Sequence, residues 1–188
     1  ICDGTHHPAG MLLSLDANTL TSERIRSQVA ASVPLVKNLW TRIVQAKLRA
    51  QASLLDANDP ARTRIEKLAS DVKSGDPGNA EAQGARAYWP ALFDPTQYPH
   101  IEQPFFRRRD GVFPNDVLNY GYAVLRAATA RAICAAGLIP ALGLHHHNRY
   151  NAFCLADDLM EPYRPWVDRR VLRLIQDGIE EMGTDAKR

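Results

Sequence analysis

Between Leu35 and Leu55 the apolar residues Leu35, Leu39, Trp40, Ile43, Val44 and Leu48 recur at intervals of three and four. That spacing lines one face of an α-helix and does not fit the alternation of a strand. A helix of this length must bury its stripe against other elements, so a mainly α chain built around one long core helix is expected.

The neighbouring segments read in the same period. Ser22 is a fitting N-cap for a helix over Arg24 to Ala31, and Pro34 breaks or restarts the chain before the long helix. Asp59-Pro60 pairs a capping acid with proline in the first turn, opening a helix to about Val72 with Ile65 and Leu68 inward. Turn residues from Ser74 to Gly78 lead into a helix from about Asn79 to Trp89, which Pro90 should end or kink. Pro95, Pro99, Pro104, Gly111 and Pro114 make residues 94–114 a long irregular connection around Arg107-Arg108-Arg109. Asn115 or Asp116 then caps a helix that Gly137 stops after Ala136. On it Asn115, Asn119, Tyr122 and Arg126 form a polar stripe, with Val117, Val124, Leu125, Ala128 and Ala132 expected on the buried side. A short helix is expected around Leu155 to Tyr163, and a last one from Val167 to Met182 with Arg169, Arg170 and Arg173 outward, before a frayed tail from Gly183 to Arg188.

The start of the chain departs from this pattern. Met11-Leu12-Leu13-Ser14-Leu15 reads as a short β segment, the end of a sheet whose other strands are missing, so the chain is expected to be a fragment. The domain division that follows is 1–20 as the remnant of an N-terminal β-domain and linker, and 21–188 as an α-helical domain.

Composition narrows the function classes. A length of 188 residues with 45% hydrophobic and 23% charged residues is that of a globular chain, which excludes disordered and fibrous classes. The net charge of +2 excludes a histone-like polycation but allows a basic face beside an acidic site. Three cysteines without CxxC spacing exclude a disulfide framework and a zinc knuckle, and fit a reducing cytosol. Cys134 and Cys154 read as small buried residues. No apolar run is long enough to span a bilayer.

The chemistry concentrates between Gly143 and Pro165. His145, His146 and His147 are followed by Asp157, Asp158 and Glu161, and on a helix Glu161 shares a face with Asp158 and Asp157. An imidazole with several carboxylates is a mixed nitrogen and oxygen donor set that suits Mg²⁺ or Mn²⁺ better than a structural zinc. A further acid must come from elsewhere. Glu81, isolated among small residues from Asn79 to Arg86, is the best candidate, although composition alone would not select it.

Three blocks in order then carry a resemblance: Asn-Ala-Glu-Ala-Gln-Gly-Ala-Arg at 79–86, Asn-Tyr-Gly-Tyr-Ala-Val-Leu-Arg from 119 with Ala-Ala-Gly-Leu-Ile-Pro-Ala-Leu-Gly-Leu-His-His ending at 146, and Asp-Asp-Leu-Met-Glu-Pro-Tyr-Arg-Pro at 157–165. Together they resemble the CRISPR adaptation integrases, the Cas-one family, in the versions that accompany type II systems. The resemblance implies the helical catalytic domain of a metal-dependent DNA endonuclease and integrase, which inserts spacer DNA into a CRISPR array by attack of a 3′-hydroxyl on a phosphodiester. It implies Glu81, His146 and Glu161 as catalytic metal ligands, with Asp158 as a supporting carboxylate beside the metal. Ala82 stands where the family usually has glycine, and in many members an aspartate takes the place of Glu161. Arg86, Tyr122, Arg126, Arg149 and Arg164 are candidates for DNA contact that position the backbone without reading bases. The implied setting is the prokaryotic cytoplasm, with double-stranded DNA as spacer precursor and CRISPR repeat, a homodimer, a Cas-two subunit as partner, and no membrane.

Plainer readings accompany each residue. His145 and His147 are expected to point away from His146, either solvated or supporting the ligands from outside, and Asp157 to act as a helix N-terminal acid. Arg107 to Arg109 reads equally as a solvated run or a DNA contact, and Tyr88-Trp89 as core. Two rival functions remain: a zinc hydrolase on the three histidines, and a non-enzymatic helical DNA-binding module in which Glu81, His146 and Glu161 lie far apart. A transposon-encoded integrase of the same superfamily shares the catalytic blocks.

Overall fold

In the computed structural model, which describes residues 1, 4, 9, 10 and 18–183, six α-helices are arranged about a seventh, long one. That helix is α2 (Val33–Ala52), for which Pro34 provides a first turn and Ser32 a cap. Its buried face is Trp40, Ile43, Val44, Leu48 and Ala52, the stripe expected from the period. Leu35 and Leu39 depart from it. They stay exposed and line an apolar groove of about 810 Å³ with Leu138, Leu142 and Leu159.

Before α2 runs α1 (Thr21–Val29), which starts one residue before the expected cap and buries none of its residues. After it come α3 (Pro60–Asp71) and α4 (Ala80–Leu92). Asp59 caps α3 through Ala61 N at 2.7 Å, and Ile65 and Ala69 face the core. Two residues cap α4: Asp76 accepts from Ala80 N and Glu81 N, and Asn79, in the left-handed region at φ 53°, accepts from Ala82 N. Pro90 does not end α4. The missing N–H removes a single hydrogen bond, and burial of Leu92 and Phe93 carries the helix on to its last turn.

Residues 94–114 contain neither helix nor strand, as expected, but they are well packed. Phe93, Tyr98 and Phe105 are buried: Phe93 stacks on Trp89 and meets Tyr98 and Phe105, so aromatic contacts replace backbone pairing. Beyond lie α5 (Asn115–Ala135), α6 (Cys154–Met160), a 3-10 turn (Glu161–Tyr163) and α7 (Arg164–Gln176). Helix α2 packs on α3, α4, α7 and the 3-10 turn, while α5 packs on α6 and α7.

Several expectations are corrected. On α5 the faces are partly exchanged: Asn115 and Tyr122 are buried, whereas Val124, Ala128 and Ala132 are exposed. Polar groups of neighbouring elements converge on the inner face of α5 and satisfy the stripe there, so polarity did not mark the outside. The short helix around 155–163 divides into α6 and the 3-10 turn, where Pro162 enters. Helix α7 begins at Arg164 and stops at Gln176, before Gly178 at φ 84°. The β segment at Met11 to Leu15 and the end of the tail, 184–188, lie outside the described residues. Among those described there is no strand, and no helix is long and apolar enough to cross a membrane.

Candidate active site

Helices α2 and α4 approach closely at Gly84, where an added Cβ would overlap the Leu48 side chain. The approach carries Glu81, in the first turn of α4, to Lys47 of α2, whose Nζ lies 2.5 Å from Glu81 Oε1. The same ammonium lies 2.5 Å from Glu161 Oε2, supplied by the 3-10 turn. Lys47 is 6% exposed and Glu161 3%. Buried charges of this kind persist only when paired, and here one cation serves two carboxylates. Burial raises the Glu81 carboxyl pKa, but the Lys47 ammonium more than offsets it, leaving Glu81 below its ordinary value.

Lys47 escaped the sequence reading. Its signal was nonetheless present, because it follows Ile43 and Val44 and precedes Leu48 and Gln51 on the buried stripe of α2. A lysine in that register needs an acid partner.

The imidazole end of the site is built around Asp158, which is fully buried on α6. Its Oδ2 accepts from Leu144 N at 2.6 Å and His145 N at 2.9 Å, and its Oδ1 from His146 N at 3.3 Å and the His146 ring Nδ1 at 2.6 Å. Gly143 allows the loop to wrap so closely, since a Cβ there would come within 2.9 Å of Asp158 Oδ2. The hydrogen bond to Asp158 raises the His146 pKa above the ordinary imidazole value, against the opposing effect of burial. With Nδ1 fixed in this way, Nε2 is the ring nitrogen left to act, the arrangement found behind metal-ligating histidines. Asp158 is thus a support for the histidine, with both oxygens occupied.

His145 stacks flat on Trp40, with ring centroids 4.2 Å apart and 2° between planes, and His147 is exposed. His145 lies edge-on to His146, with ring centroids 5.5 Å apart, and its own ring is taken up by Trp40. Among the described residues no three His, Cys, Asp or Glu side chains close on one point as metal ligands. The Lys47 ammonium lies between Glu81 and Glu161. The donors themselves, two carboxylates joined by a cation and one imidazole oriented through Nδ1, are of the chemistry that a hard divalent cation takes, so the residues fit such an ion.

A second buried group adjoins this one. Asp168 of α7, 1% exposed, accepts from Tyr88 OH at 2.8 Å and from Tyr122 OH. Burial pushes its pKa up to about 6, against the lowering effect of the two hydroxyls and of Arg164 and Arg107. Those guanidinium groups lie 4.9 and 5.0 Å from the centroid of the Tyr122 ring. Arg107 also donates to Asn115 Oδ1 and Asn119 Oδ1, so it joins the long loop to α5 and is no solvated residue. Sequence reading missed Asp168, which looked like one more acid on an amphipathic helix.

Lys47, Glu81, Arg86, Arg107, Tyr122 and Arg164 line a common cleft of about 430 Å³. Arg164 Nε lies 3.1 Å from Glu161 Oε1, at the boundary between acid and base. Of the other candidates for DNA contact, Arg149 is exposed beside Tyr150, and Arg86 is exposed at the cleft rim. Arg126 is directed inward: it grips Asp157 through Nε at 2.6 Å and Nη2 at 2.5 Å, so Asp157 is a partner for α5 as well as an acid in the first turn of α6. Tyr122 is 8% exposed with its hydroxyl engaged by Asp168.

Comparison with known proteins follows this geometry. The family described as CRISPR associated protein Cas1 matches residues 1–184. A CRISPR-associated endonuclease Cas1 of Neisseria meningitidis is 42% identical over 179 residues, covering 94% of this chain and 56% of the relative. One of Mycobacterium tuberculosis is 33% identical over 175 residues, with coverage of 83% and 50%. The chain therefore spans about half the length of the curated relatives it matches. Among solved structures, a partial Cas6-RT-Cas1–Cas2 complex superposes with a TM-score of 0.72 at 23% identity, covering 90% of this chain and 55% of its own. A casposase bound to an integration product gives 0.66 at 24%, with coverage of 87% and 52%. These two likenesses concern the fold.

Proposed function

Because the chain belongs to the CRISPR-associated Cas1 family, we propose that its cleft performs DNA strand chemistry in CRISPR adaptation: endonucleolytic cleavage, and integration by attack of a 3′-hydroxyl on a phosphodiester at the repeat. Glu81, the Nε2 of His146 and Glu161 would hold a divalent cation, Mg²⁺ or Mn²⁺. When bound, such a cation supplies activation of the attacking oxygen and neutralisation of the charge that develops on the phosphorus oxygens.

This chain's own residues do the rest. Asp158 holds the His146 ring through Nδ1 and so leaves Nε2 free to act. Arg164, half-buried at the cleft and paired with Glu161, offers a guanidinium to a phosphate there. Arg86 at the rim of the cleft and the exposed Arg149 elsewhere on the surface are the further cations that would orient a strand by its backbone. Tyr122 and Arg107 form part of the cleft wall, and Arg126 ties α5 to α6 through Asp157. The reading extends to a homodimer acting on double-stranded DNA with a Cas2-type subunit in the prokaryotic cytoplasm, in line with the Cas1–Cas2 assembly named for one structural neighbour.

The observation that carries this reading is the meeting of Glu81 and Glu161 on one ammonium, from α4 and the 3-10 turn, with His146 close enough to influence the ionisation of Glu81. Cleavage and strand transfer on branched and double-stranded DNA with Mn²⁺ supply the test. Glu81→Ala, His146→Ala and Glu161→Ala should each abolish activity, and His145→Ala should retain it; persistence of activity in all three site variants would sink the proposal.

A further inference from the structure

We propose that Lys47 is a built-in counter-ion of the acidic site: it holds Glu81 and Glu161 together in the metal-free protein, gives up that place to an incoming divalent cation, and so sets how tightly the cation binds. The inference rests on the reading of Glu81, His146 and Glu161 as the cation's ligands.

Three observations lead to it. First, the Lys47 ammonium lies 2.5 Å from an oxygen of each carboxylate, with its side chain 8% and that of Glu161 4% exposed. Two carboxylates brought together in a poorly solvated place repel strongly unless a positive charge lies between them. Lysine supplies that charge before any ion arrives, which holds the acids converged instead of turned away.

Second, a cation that takes oxygens from both acids must enter the space that the ammonium fills. Like charges cannot share it. Occupancy by Lys47 and occupancy by a divalent cation are therefore competing states, and each excludes the other to the extent of their repulsion.

Third, the ammonium has somewhere to go. Gln51, one helical turn further along the same face of α2, is 3% exposed, and its side-chain Oε1 is buried without a hydrogen-bond partner. An orphaned acceptor in the interior is unusual and needs an explanation. Gln51 and Lys47 line the same cleft, and residues four apart on a helix are neighbours. In the metal-loaded protein Lys47 turns to Gln51 Oε1, and the orphan is satisfied. The flexible four-carbon stem of lysine permits this movement, whereas a rigid guanidinium fork fits it poorly.

The test is calorimetric titration of Mn²⁺ into the purified protein, with thermal melting in chelator and in Mn²⁺. Lys47→Gln keeps a hydrogen-bonding group but removes the charge. It should bind Mn²⁺ at least tenfold more tightly than the wild type, melt several degrees lower in chelator, and gain more in melting temperature from Mn²⁺. If Lys47→Gln is unfolded in chelator, recovery of a cooperative melt on addition of Mn²⁺ reads the same competition, and failure to recover overturns it. Gln51→Leu should weaken Mn²⁺ binding in the wild type and leave it unchanged in the Lys47→Gln background; equal weakening in both removes Gln51 from the account. Equal or weaker Mn²⁺ binding by Lys47→Gln overturns the inference and leaves the ligand set intact. Absence of Mn²⁺ binding from wild type and Lys47→Gln alike overturns both.

Discussion

Asp158 shows how one side chain can organise a site without reaching into it. Three backbone N–H groups and the His146 ring point at its two oxygens, and it has no exposure to water. Replacing it by alanine leaves those donors buried without acceptors. Asp158→Ala should therefore lower stability by about 3–5 kcal/mol, the range for breaking a buried charged network, measured by denaturant unfolding. Asp158→Asn tests the electrostatic part. The carboxylate is the first cause of the raised His146 pKa, so an NMR titration should find the imidazole pKa lower in Asp158→Asn than in the wild type. The sign follows from linkage: a raised imidazole pKa contributes stability that is fully present below the ordinary value near about 6.5 and lost as pH rises through the folded-state value. The wild-type advantage over Asp158→Asn should thus shrink between neutral and mildly alkaline pH.

At the scale of elements, the site depends on how closely α2 and α4 approach. The absence of a side chain at Gly84 lets the Leu48 side chain occupy that space and sets the distance from Lys47 to Glu81. Gly84→Ala improves local helix propensity by about 1 kcal/mol but forces the helices to separate, and overpacking of this kind costs about 1–3 kcal/mol. The expected result is little net gain or a net loss of stability, together with a fall in Mn²⁺-dependent cleavage, because Glu81 moves with α4. Asp59 offers the contrast. Its cap on α3 lies at the far side of α2's partners, so Asp59→Ala should cost about 1 kcal/mol in thermal melting while cleavage rates at temperatures well below the melt stay at the wild-type level. Loss of activity in Asp59→Ala under those conditions would show that α3 and the site are coupled.

At the scale of the molecule, Asp168 ties α7 to α4 through Tyr88 and to α5 through Tyr122, with Arg107 and Arg164 beside the Tyr122 ring. Its pKa is pushed up to about 6 by burial, above the ordinary aspartate value of about 3.9. An acid with a raised folded-state pKa contributes stability that is fully present below about 3.9 and lost as pH rises through about 6. The cost of ionising it in place is on the order of 3 kcal/mol above that window. Asp168→Asn does not ionise, so the stability difference between variant and wild type should shift in favour of the variant between pH about 4 and 6.5, and then level off. A difference that stays flat across this window would show that Arg107 and Arg164 compensate the carboxylate fully.

The sequence by itself determined the helical character of this chain, because the three- and four-residue spacing on α2, the Asp59-Pro60 start of α3 and the breakers of residues 94–114 act locally and need no partner to be read. It also singled out Glu81, His146, Asp158 and Glu161, although the isolation of Glu81 among small residues made it only a candidate until the family resemblance supported it. Tertiary structure decided what those residues meet. That α5 turns its polar stripe inward follows from Arg107, Asp157 and Asp168, which reach it from a loop and two other helices distant in sequence. That Lys47 lies between two acids follows from α2 passing α4 and the 3-10 turn, 34 residues separating it from Glu81. Periodicity records which face of a helix is buried. It does not record whether that face is buried against hydrocarbon or against charge, since a buried lysine or tyrosine is stable only through partners that the fold brings from elsewhere.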